Sequence, residues 1–214
     1  MRKKAEVKKI LAVLDQEYPE AECTLDFKNT LELLMATILA AQCTDERVNK
    51  VTVDLFQKYR TAKDYAESEK SELEEDIRST GFFRNKAKSI QALGQALTDE
   101  YKGQVPASLE ELVKLPGVGR KTANVVLGTA FGIPAMVVDT HVSRVAARLG
   151  LTDEKDAVKI EFDLVKQIPE EKWVAFSHQV IAHGRSVCKA RKPDCPNCPL
   201  LKLCPFGKEA VKSS

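Results

Sequence analysis

Apolar residues recur at helical spacing along most of this chain. Val7, Ile10 and Leu14 fall on one face of a predicted first helix that ends before Pro19. Residues 31–41 are apolar nearly all round, which is typical of a buried central helix. Further helices are predicted at about 45–59, 85–101, 120–131, 140–149, 154–168 and 171–183. The pattern therefore predicts helices almost everywhere.

The remaining pattern adds helix starts but no sheet. Ser71–Glu74 and Ser108–Glu111 both have the Ser-x-x-Glu form of a capping box. Thr44 is the expected cap of the helix that follows it. Only Ala135–Val138 has a strand-like composition, and one isolated strand makes no sheet. The sequence predicts an all-α fold.

Length and composition limit the classes of protein that fit. With 214 residues and 43% hydrophobic content, the chain suits one large domain or two small lobes. No apolar run is long enough to span a bilayer, so we expect no membrane partner. The first residues lack the apolar core of a signal peptide. Cys23 and Cys43 lie apart from the other cysteines, which agrees with a reducing cytoplasm.

The distribution of charge is more informative than its sum. The 33 Lys and Arg residues barely exceed the 31 Asp and Glu residues, so the formal net charge of +2 does not by itself indicate a nucleic-acid partner, and any affinity for DNA must come from clustered charges. Residues 64–76 are acidic and are expected to form a solvated face. Basic residues gather in three groups beside turns or cysteines: Arg84, Lys86 and Lys88; Arg120 and Lys121; and Arg185, Lys189, Arg191 and Lys192. These groups favour contacts with phosphates.

Four of the six cysteines lie close together near the end of the sequence, at Cys188, Cys195, Cys198 and Cys204. Four thiolates in a proline-containing loop are a ligand set for zinc or an iron–sulfur cluster. Zinc sites usually show two Cys-x-x-Cys pairs, whereas only Cys195 and Cys198 have that spacing here. The spacing favours a cluster over zinc, without excluding zinc. A disulfide framework is disfavoured, because a chain of this length can build an apolar core.

A second informative segment is Leu115–Ala123, which reads Leu-Pro-Gly-Val-Gly-Arg-Lys-Thr-Ala. Pro116 ends the preceding helix, and Gly117 and Gly119 permit a tight turn that can approach another surface closely. The unpaired N–H groups at the start of the next helix then form a site for a DNA phosphate. Such a contact carries no base specificity.

Taken together, these segments resemble the endonuclease III family of helix–hairpin–helix DNA glycosylases, which excise oxidised pyrimidines. The resemblance rests on Leu115–Ala123, on Val138–His141 and on the spacing of the four cysteines, in this order. It extends to Leu39–Asp45 and Ala182–Arg185, so it covers nearly the whole chain. Each motif alone has modest specificity, whereas the combination at these separations is specific.

The resemblance implies that Lys121 is the catalytic nucleophile. Positive charge from Arg120 and from the helix N-terminus favours the neutral amine of Lys121. A neutral amine can attack the sugar C1′ of a flipped nucleotide, expel the base and leave a Schiff base. Elimination of the 3′-phosphate from that imine then cuts the strand. The alternative for Lys121 is an ordinary exposed lysine on a helix.

Asp139 and His141 follow the strand-like run. On sequence alone, Asp139 is expected to cap the next helix. The resemblance makes it the carboxylate that assists Lys121 and stabilises positive charge on the sugar, and the two roles are compatible. His141 is expected either to contact a phosphate or to face the interface between the lobes.

A glycosylase that flips its target nucleotide must fill the gap left in the duplex. Gln42 and Phe82 match the positions that enter the base stack in this family, although many relatives carry leucine in place of Phe82. Phe83 is adjacent, and one of the two rings is expected to point into the core. Asp45 is expected either to line the base pocket or to stabilise the start of its helix.

The resemblance implies two helical lobes that flank a cleft for DNA. Residues 22–132 are expected to form a six-helix lobe, and residues 1–21 to join 133–214 in a lobe with a [4Fe-4S] cluster. Lys121 and Asp139 are expected to meet at the cleft. The expected partner of this monomer is double-stranded DNA with damaged pyrimidines or abasic sites. Further DNA contacts are expected from Arg84, Pro116, Gly117, Val118, Gly119, Arg120, Lys189 and Arg191.

Three alternatives remain at this point. A non-catalytic helix–hairpin–helix module would use Lys121 only as a phosphate contact. An iron–sulfur electron carrier would leave the hairpin unexplained. Adenine-mismatch glycosylases share the hairpin and the cluster, but they normally lack a lysine at the position of Lys121 and carry an additional C-terminal domain.

Overall fold

The computed structural model describes residues 2–212, and this part of the chain is helical with no β-strand. Its twelve α-helices are α1 (Lys4–Glu17), α2 (Thr30–Leu39), α3 (Asp45–Lys58), α4 (Ala62–Ala66), α5 (Lys70–Asp76), α6 (Phe83–Tyr101), α7 (Leu109–Leu112), α8 (Arg120–Ala130), α9 (Thr140–Leu149), α10 (Ala157–Val165), α11 (Trp173–Ser186) and α12 (Pro205–Lys212). Short 3₁₀-helices lie at Arg78–Thr80, Glu170–Lys172 and Leu201–Leu203. The predicted all-α fold is confirmed. Within the same residues, no helix combines the length and apolar character needed to cross a membrane.

The described helices belong to two compact units. One unit is Thr24–Ile133, which contains α2 to α8. The other combines Met1–Cys23 with Pro134–Ser214 and contains α1 and α9 to α12. The first helix therefore packs with the C-terminal part of the chain, where it contacts α11.

The core of the unit Thr24–Ile133 is organised around α2. This helix packs against α3, α6 and α8, so little of its surface faces water. Burial of a large aliphatic side chain stabilises a fold by about 1.5–3 kcal/mol. The fully buried residues of α2 are Leu33, Leu34, Met35, Ala36 and Leu39. The prediction of a buried central helix is confirmed.

Helix α6 packs closely on the short helix α4 in the same unit. A Cβ atom on Gly94 would lie 2.6 Å from the Ala62 carbonyl oxygen and 2.8 Å from the Ala66 nitrogen. Only glycine permits that approach between the two backbones. A capping box between Thr61 and Asp64 fixes the start of α4. The sequence pattern did not predict α4, whose five residues are too few to show helical periodicity.

The two predicted capping boxes have different outcomes. Ser108 is the N-cap of α7, and its hydroxyl oxygen accepts the Glu111 N–H at 3.4 Å. Ser71, in contrast, lies inside α5, so its assignment as a cap is wrong. The carboxylate of Glu69 caps α5 instead, because it accepts the Glu72 N–H at 3.0 Å.

In the other unit, α1, α9, α10 and α11 enclose a second apolar core. The predicted amphipathic face of α1 is confirmed, since its apolar residues belong to this core. Asp156 caps α10 by accepting the Val158 and Lys159 N–H groups, each at 3.0 Å, so α10 begins later than predicted. Core residues include Val7, Ile10, Leu14, Val142, Val145, Leu149, Ile160, Leu164, Phe176 and Val180.

A buried extended segment leads into α9. Residues Ala135–Val138 are buried and form no strand. The Val137 N–H donates to the Ser177 hydroxyl oxygen at 3.0 Å, which ties the segment to α11. Asp139 follows directly and is the N-cap of α9. The strand-like composition of this segment therefore reflects its burial beside a helix.

Candidate functional site

The turn between α7 and α8 has the conformation that its sequence requires. The Val118 N–H donates to the Leu115 carbonyl at 3.1 Å, and Gly117 has φ = +76°. With Pro116 in the second position and glycine in the third, these features fit a type II turn. A Cβ atom on residue 117 would lie 2.9 Å from the Ser89 Cβ atom of α6. Gly117 is therefore required by the backbone and by packing against α6.

Gly119 forms the exposed start of α8. It is the N-cap residue, with φ = −87° and no side chain to cap the first turn. No atom lies within 4 Å of a Cβ atom built on Gly119, so the space above it is open. The first N–H groups of a helix have no intrahelical partner and lie at its positive end. The hairpin thus presents an open backbone site that suits an anion such as a phosphate.

Lys121 is the second residue of α8, and its side chain is exposed. Arg120 precedes it and is half-buried, while Val118 is buried beneath the turn. An exposed amine beside an open phosphate site can reach a substrate whose backbone binds the hairpin. The catalytic role of Lys121 stays a prediction at this stage.

Two residues predicted to enter the base stack have strained backbones. Gln42 has φ = +54° and Phe82 has φ = +48°, and both side chains are exposed. The left-handed region costs a non-glycine residue about 1–2 kcal/mol. Residues held in such conformations cluster at functional sites, where the surrounding structure maintains them. The strain supports the choice of these two positions, whose contact with DNA stays a prediction.

The two adjacent rings at the start of α6 have different surroundings. Phe82 is 63% exposed. Phe83 is half-buried, with the guanidinium carbons of Arg78 and Arg84 at 5.5 and 5.6 Å from its ring centroid. One ring of the pair was expected to point inward, and that ring is Phe83. Phe82 is consequently the ring that a bound duplex can reach, with the exposed Arg84 nearby in the chain.

Asp45 lies in the first turn of α3, where Thr44 is the N-cap. The Thr24 hydroxyl donates to Asp45 Oδ2 at 2.6 Å. This contact holds one carboxylate oxygen of a half-exposed side chain in place. The predicted position of Asp45 in the first turn of α3, where its negative charge stabilises the helix, is confirmed. Its contact with a flipped base stays a prediction.

Asp139 is the N-cap of α9. Its Oδ1 atom accepts the backbone N–H groups of His141 and Val142, each at 2.8 Å. Both hydrogen bonds go to the same oxygen, so within the described residues Oδ2 is not needed for the cap. The cap fixes the orientation of a half-exposed carboxylate. This geometry is compatible with both roles predicted for Asp139, of which only the cap is observed.

His141 packs inside its own unit. Its Nδ1 atom lies 3.0 Å from Nη2 of Arg144. A Cβ atom on Gly184 of α11 would lie 2.9 Å from the Cβ and Nδ1 atoms of His141. The imidazole therefore packs against α11 at a place where any side chain larger than that of glycine would clash with it. His141 thus joins α9 to α11, and a phosphate contact stays a prediction.

The four cysteines of the C-terminal loop converge on one small cavity. All six cysteines are free thiols. Within residues 2–212, no three His, Cys, Asp or Glu side chains lie close enough together to hold a single metal ion. Cys188, Cys195, Cys198 and Cys204 instead line the wall of the shared cavity. A cluster that takes one thiolate at each corner fits this arrangement.

The electrostatics of the cavity suit a cationic group. Burial raises the pKa of the Cys198 thiol to about 11, and neighbouring cysteines act in the same direction. Burial also raises the pKa values of Cys195 and Cys204. These shifts disfavour thiolates at Cys195, Cys198 and Cys204 unless a positively charged group lies in the cavity.

Hydrogen-bond donors surround the thiols. Arg148 Nη1 donates to Cys188 Sγ at 3.2 Å, and the Gly207 N–H donates to Cys204 Sγ at 3.3 Å. Arg148 also binds the carbonyls of Lys189 and Ala190 at 2.8 and 3.1 Å. Donors of this kind orient ligands and tune the group that they hold.

Tyr18 and His183 form a chain of contacts that ends at Cys198. The His183 Nε2 atom lies 3.7 Å from Cys198 Sγ, and its Nδ1 atom lies 2.9 Å from the Tyr18 hydroxyl. Burial lowers the pKa of His183 to about 4, so the imidazole is neutral near neutral pH. If Tyr18 donates to Nδ1, the proton on Nε2 faces the sulfur, which suits a thiolate.

The basic residues of the cysteine loop point to solvent. Lys189 and Arg191 are exposed, and so is Lys192, which has φ = +51°. These three side chains do not line the cavity, so they are available to phosphates.

Lys86, from the basic group near Phe82, has different surroundings. It is only 6% exposed, so the expectation that it contacts phosphate is wrong.

Several residues around the site carry no local signal in the sequence. Lys86, His183 and Arg148 each have a partner at least 15 residues away along the chain. Arg144 and Arg148 lie one helical turn apart on α9 and both reach Cys188.

Comparison with known proteins extends this description. The profile of the HhH-GPD superfamily base excision DNA repair proteins matches residues 35–170. Endonuclease III of Synechocystis is 56% identical over 207 residues, which cover 96% of this chain and 94% of that protein. Endonuclease III of Bacillus subtilis is 51% identical over 196 residues, covering 91% of this chain and 90% of that protein.

Solved structures agree at the level of the fold. A non-covalent complex of endonuclease III with DNA superposes with a TM-score of 0.94 at 51% identity, covering 99% of this chain and 100% of that chain. A trapped covalent intermediate of endonuclease III with DNA gives the same TM-score at 50% identity and the same coverage. This chain belongs to the endonuclease III family, within the HhH-GPD superfamily of base-excision DNA repair proteins.

Proposed function

We propose that this protein removes oxidised pyrimidines of the thymine glycol type from duplex DNA and cuts the strand 3′ to the resulting abasic site, with Lys121 as the nucleophile. Its family makes it a base-excision DNA glycosylase and abasic-site lyase. The observation that carries the proposal for Lys121 is its exposed amine at the start of α8, directly after the open backbone site at Gly119. A related endonuclease III has been trapped covalently on DNA, which supports a covalent route.

The chemistry proceeds in two stages. The Lys121 nitrogen attacks C1′ of the flipped nucleotide with its lone pair, so that a C–N bond forms and the nitrogen loses a proton. The glycosidic bond breaks as the base leaves with its electron pair and takes up a proton. Opening of the sugar ring then gives an imine. Loss of a proton from C2′ expels the 3′-phosphate and cuts the strand, and water hydrolyses the imine to free the lysine. One amine therefore serves both steps.

Asp139 is the proposed partner of Lys121 in this chemistry. Its carboxylate is oriented by the two backbone N–H groups that Oδ1 accepts, which leaves Oδ2 for an interaction with substrate. A fixed negative charge stabilises the positive charge that develops on the sugar as the base departs. The same residue thus caps α9 and supplies electrostatic stabilisation.

DNA binding in the proposal is independent of sequence. Gly117, Val118 and Gly119 bring the backbone to a phosphate, and Lys189 and Arg191 add charge at exposed positions. Such contacts position the duplex without reading its bases. Gln42 and Phe82 then occupy the space that the flipped nucleotide leaves, since both are exposed and fixed by their backbones.

The metal group in the proposal is a [4Fe-4S] cluster bound by Cys188, Cys195, Cys198 and Cys204. Support comes from the four thiols around one cavity and from the family, in which an iron–sulfur cluster is expected. When bound, the cluster supplies positive charge that neutralises the thiolates and braces the loop. The protein itself contributes the Arg144 and Arg148 donors that fix the loop. It also contributes the exposed Lys189 and Arg191 side chains on that loop.

We place this activity in the cytoplasm and assign it to a monomer. Cys23 and Cys43, which lie outside the cysteine loop, are free thiols, and this suits a reducing compartment. Light scattering after size-exclusion chromatography tests the second point. A mass near twice 23.8 kDa would contradict a monomer.

Borohydride trapping on DNA with an abasic site tests the proposed nucleophile, because only an imine between enzyme and sugar is reduced to a stable adduct. Lys121→Gln keeps a polar side chain but removes the amine, so the adduct and strand cleavage should disappear while binding persists. Lys114→Gln is the matched control, since Lys114 is an exposed lysine shortly before the same turn. An adduct that survives in Lys121→Gln would assign the nucleophile to another residue.

A further inference from the structure

Lys86 is a buried lysine that the catalytic steps do not use. It lies in the first turn of α6 and is 6% exposed. Its ammonium donates to the carbonyl oxygens of Leu39 and Thr80, each at 2.8 Å. Its backbone N–H donates to the Phe82 carbonyl at 3.1 Å. One residue therefore connects α2, the turn before α6 and Phe82 itself.

Both acceptors of the ammonium lie at the C-terminal ends of helices. Leu39 is the last residue of α2, and Thr80 ends the 3₁₀-helix Arg78–Thr80. Carbonyl groups at helix C-termini carry partial negative charge, which attracts a cation. Charge-assisted hydrogen bonds of this kind are stronger than those between neutral groups. Lys86 thus joins two helix ends that are 41 residues apart in the chain.

The burial of this charge is costly and requires a compensating benefit. Burial lowers the pKa of the Lys86 ammonium, while the nearby Cys43 acts in the opposite direction. A buried charge without partners is strongly destabilising. Here two carbonyl oxygens accept hydrogen bonds from the ammonium and compensate for part of that cost. The side chain is too buried to reach DNA, so any effect on the reaction passes through the segments that it holds.

Each of those segments leads directly to a left-handed residue. Gln42 follows Leu39 by three positions, and Phe82 follows Thr80 by two. Their φ values of +54° and +48° are unfavourable for non-glycine residues. Strained conformations persist only where neighbouring structure enforces them. Lys86 thus anchors the backbone three residues before Gln42 and two residues before Phe82.

We propose that Lys86 is the positioning residue that holds Gln42 and Phe82 together in the orientation in which they enter the base stack. The inference rests on the proposed function, in which these two side chains fill the gap left by the flipped nucleotide. Lys86 then couples the two insertions, because a shift of either helix end moves the shared ammonium. It does not touch the substrate.

The test measures insertion directly, in a background that cannot react. Lys121→Gln protein is titrated onto a duplex that carries 2-aminopurine opposite a stable abasic-site analogue. Insertion into the stack raises the fluorescence of 2-aminopurine, and the gain at saturation reports the inserted fraction. Lys86→Met is then added to this background, since methionine keeps an apolar stem and removes the charge and its N–H groups.

Loss of two hydrogen bonds to a charged donor should shift the insertion equilibrium by about 10-fold or more against insertion. The duplex should still saturate, because the phosphate contacts remain. Lys63→Met is the matched control. Lys63 belongs to the same unit, its side chain is 65% exposed, and its loss removes the same charge at the surface. The control should retain the full fluorescence gain.

Double-mutant cycles separate positioning from a loss of folding. In a Phe82→Ala and Gln42→Ala background, Lys86→Met should lower the gain no further, since the residues it acts through are gone. If Lys86→Met unfolds the protein, Lys86→Gln, which retains a donor, replaces it in the same cycle. A full gain in the folded Lys86 variants would overturn the positioning role. No gain in the parent, together with no borohydride adduct in wild type, would overturn the proposed function itself.

Discussion

The hairpin of one unit and the cysteine loop of the other are both irregular, yet they are held in different ways. In the hairpin, a backbone hydrogen bond closes the turn Leu115–Val118, and Gly117 provides the left-handed conformation. In the cysteine loop, side chains of α9 hold the backbone in addition to its own short turns. Arg144 donates to the Cys188 carbonyl, and Arg148 donates to the carbonyls that follow it.

This difference determines which substitutions each region tolerates. A turn made by the backbone depends on the residues that permit its φ and ψ angles, so exposed side chains around it can change without loss of shape. The cysteine loop has backbone hydrogen bonds of its own, such as the one from the Asp194 N–H to the Val187 carbonyl at 3.1 Å, but its shape also depends on the Arg144 and Arg148 donors and on the thiols. Glycine should therefore matter most in the hairpin, and polar side chains in the loop.

The largest effect is expected where a cluster ligand is lost. Cys195→Ser removes a buried thiolate from the cavity, so the cluster should no longer assemble and the loop should lose its centre. Removal of a structural metal group costs about 4–5 kcal/mol or more. Iron and acid-labile sulfide content, the yellow-brown absorbance and thermal unfolding measure the loss.

Cys23→Ser is the matched control, because Cys23 is half-exposed and lies outside the loop. It should keep its iron, colour and melting temperature. A Cys195→Ser protein with normal iron content and stability would contradict a loop that depends on its thiols. Stoichiometric zinc without iron in anaerobically purified wild type would contradict the proposed [4Fe-4S] cluster.

The next largest effect is expected at Asp139, whose side chain caps α9 and is proposed to stabilise the transition state. Asn caps a helix about as well as Asp, so Asp139→Asn should melt within about 0.5 kcal/mol of wild type. The negative charge is lost, and turnover on thymine glycol DNA should fall by about 10²–10³-fold, as expected for lost transition-state electrostatics. Single-turnover kinetics and thermal unfolding measure the two effects separately.

Asp139→Ala completes the test, because it removes both the cap and the charge. It should lose about 1 kcal/mol of stability in addition to the activity. If Asp139→Asn retained full turnover, Asp139 would act only as the cap of α9.

The hairpin should respond to two glycine substitutions in opposite ways. Gly117→Ala forces alanine into φ = +76° and its Cβ atom to within 2.9 Å of Ser89 Cβ. The expected cost is about 1–3 kcal/mol of stability. Gly119→Ala meets no atom within 4 Å and has an ordinary φ of −87°, so its folding should be unaffected. Its added methyl group should instead weaken DNA binding, if a phosphate approaches that backbone closely.

Thermal unfolding and binding to an abasic-site analogue separate these outcomes. Equal melting temperatures for the two variants would show that the turn does not require glycine at 117. Normal DNA affinity for Gly119→Ala would mean that no phosphate lies against residue 119.

The hairpin could be predicted from sequence because its determinants are local. The turn follows from the backbone preferences of Pro116, Gly117 and Gly119, so the amino-acid sequence alone predicts it. The long helices were predicted for a similar reason, since the periodicity of α1 shows which face is buried and the apolar character of α2 on all sides shows that the whole helix is buried. The short helix α4 and the cap at Glu69 were missed, because five-residue helices and charged caps leave weak patterns.

The surroundings of the site were harder to predict because they depend on distant contacts. Lys86 looked like a surface cation in a basic group, yet the fold places it under two helix ends. His183 is close to Cys198 only because α11 passes beside the loop. Burial and partners of polar side chains are tertiary properties, and the local pattern does not encode them.

The smallest effect is expected at the rim of the cysteine loop. Arg191 is exposed, so Arg191→Ala should leave stability and iron content unchanged. A lost phosphate contact should weaken binding to every duplex by a similar factor and reduce the slope of log K against log salt by about 1. Lys166→Ala, on the exposed end of α10 in the same unit, should leave that slope unchanged. Fluorescence anisotropy over a range of salt concentrations measures both, and an unchanged slope in Arg191→Ala would remove this loop from the DNA interface.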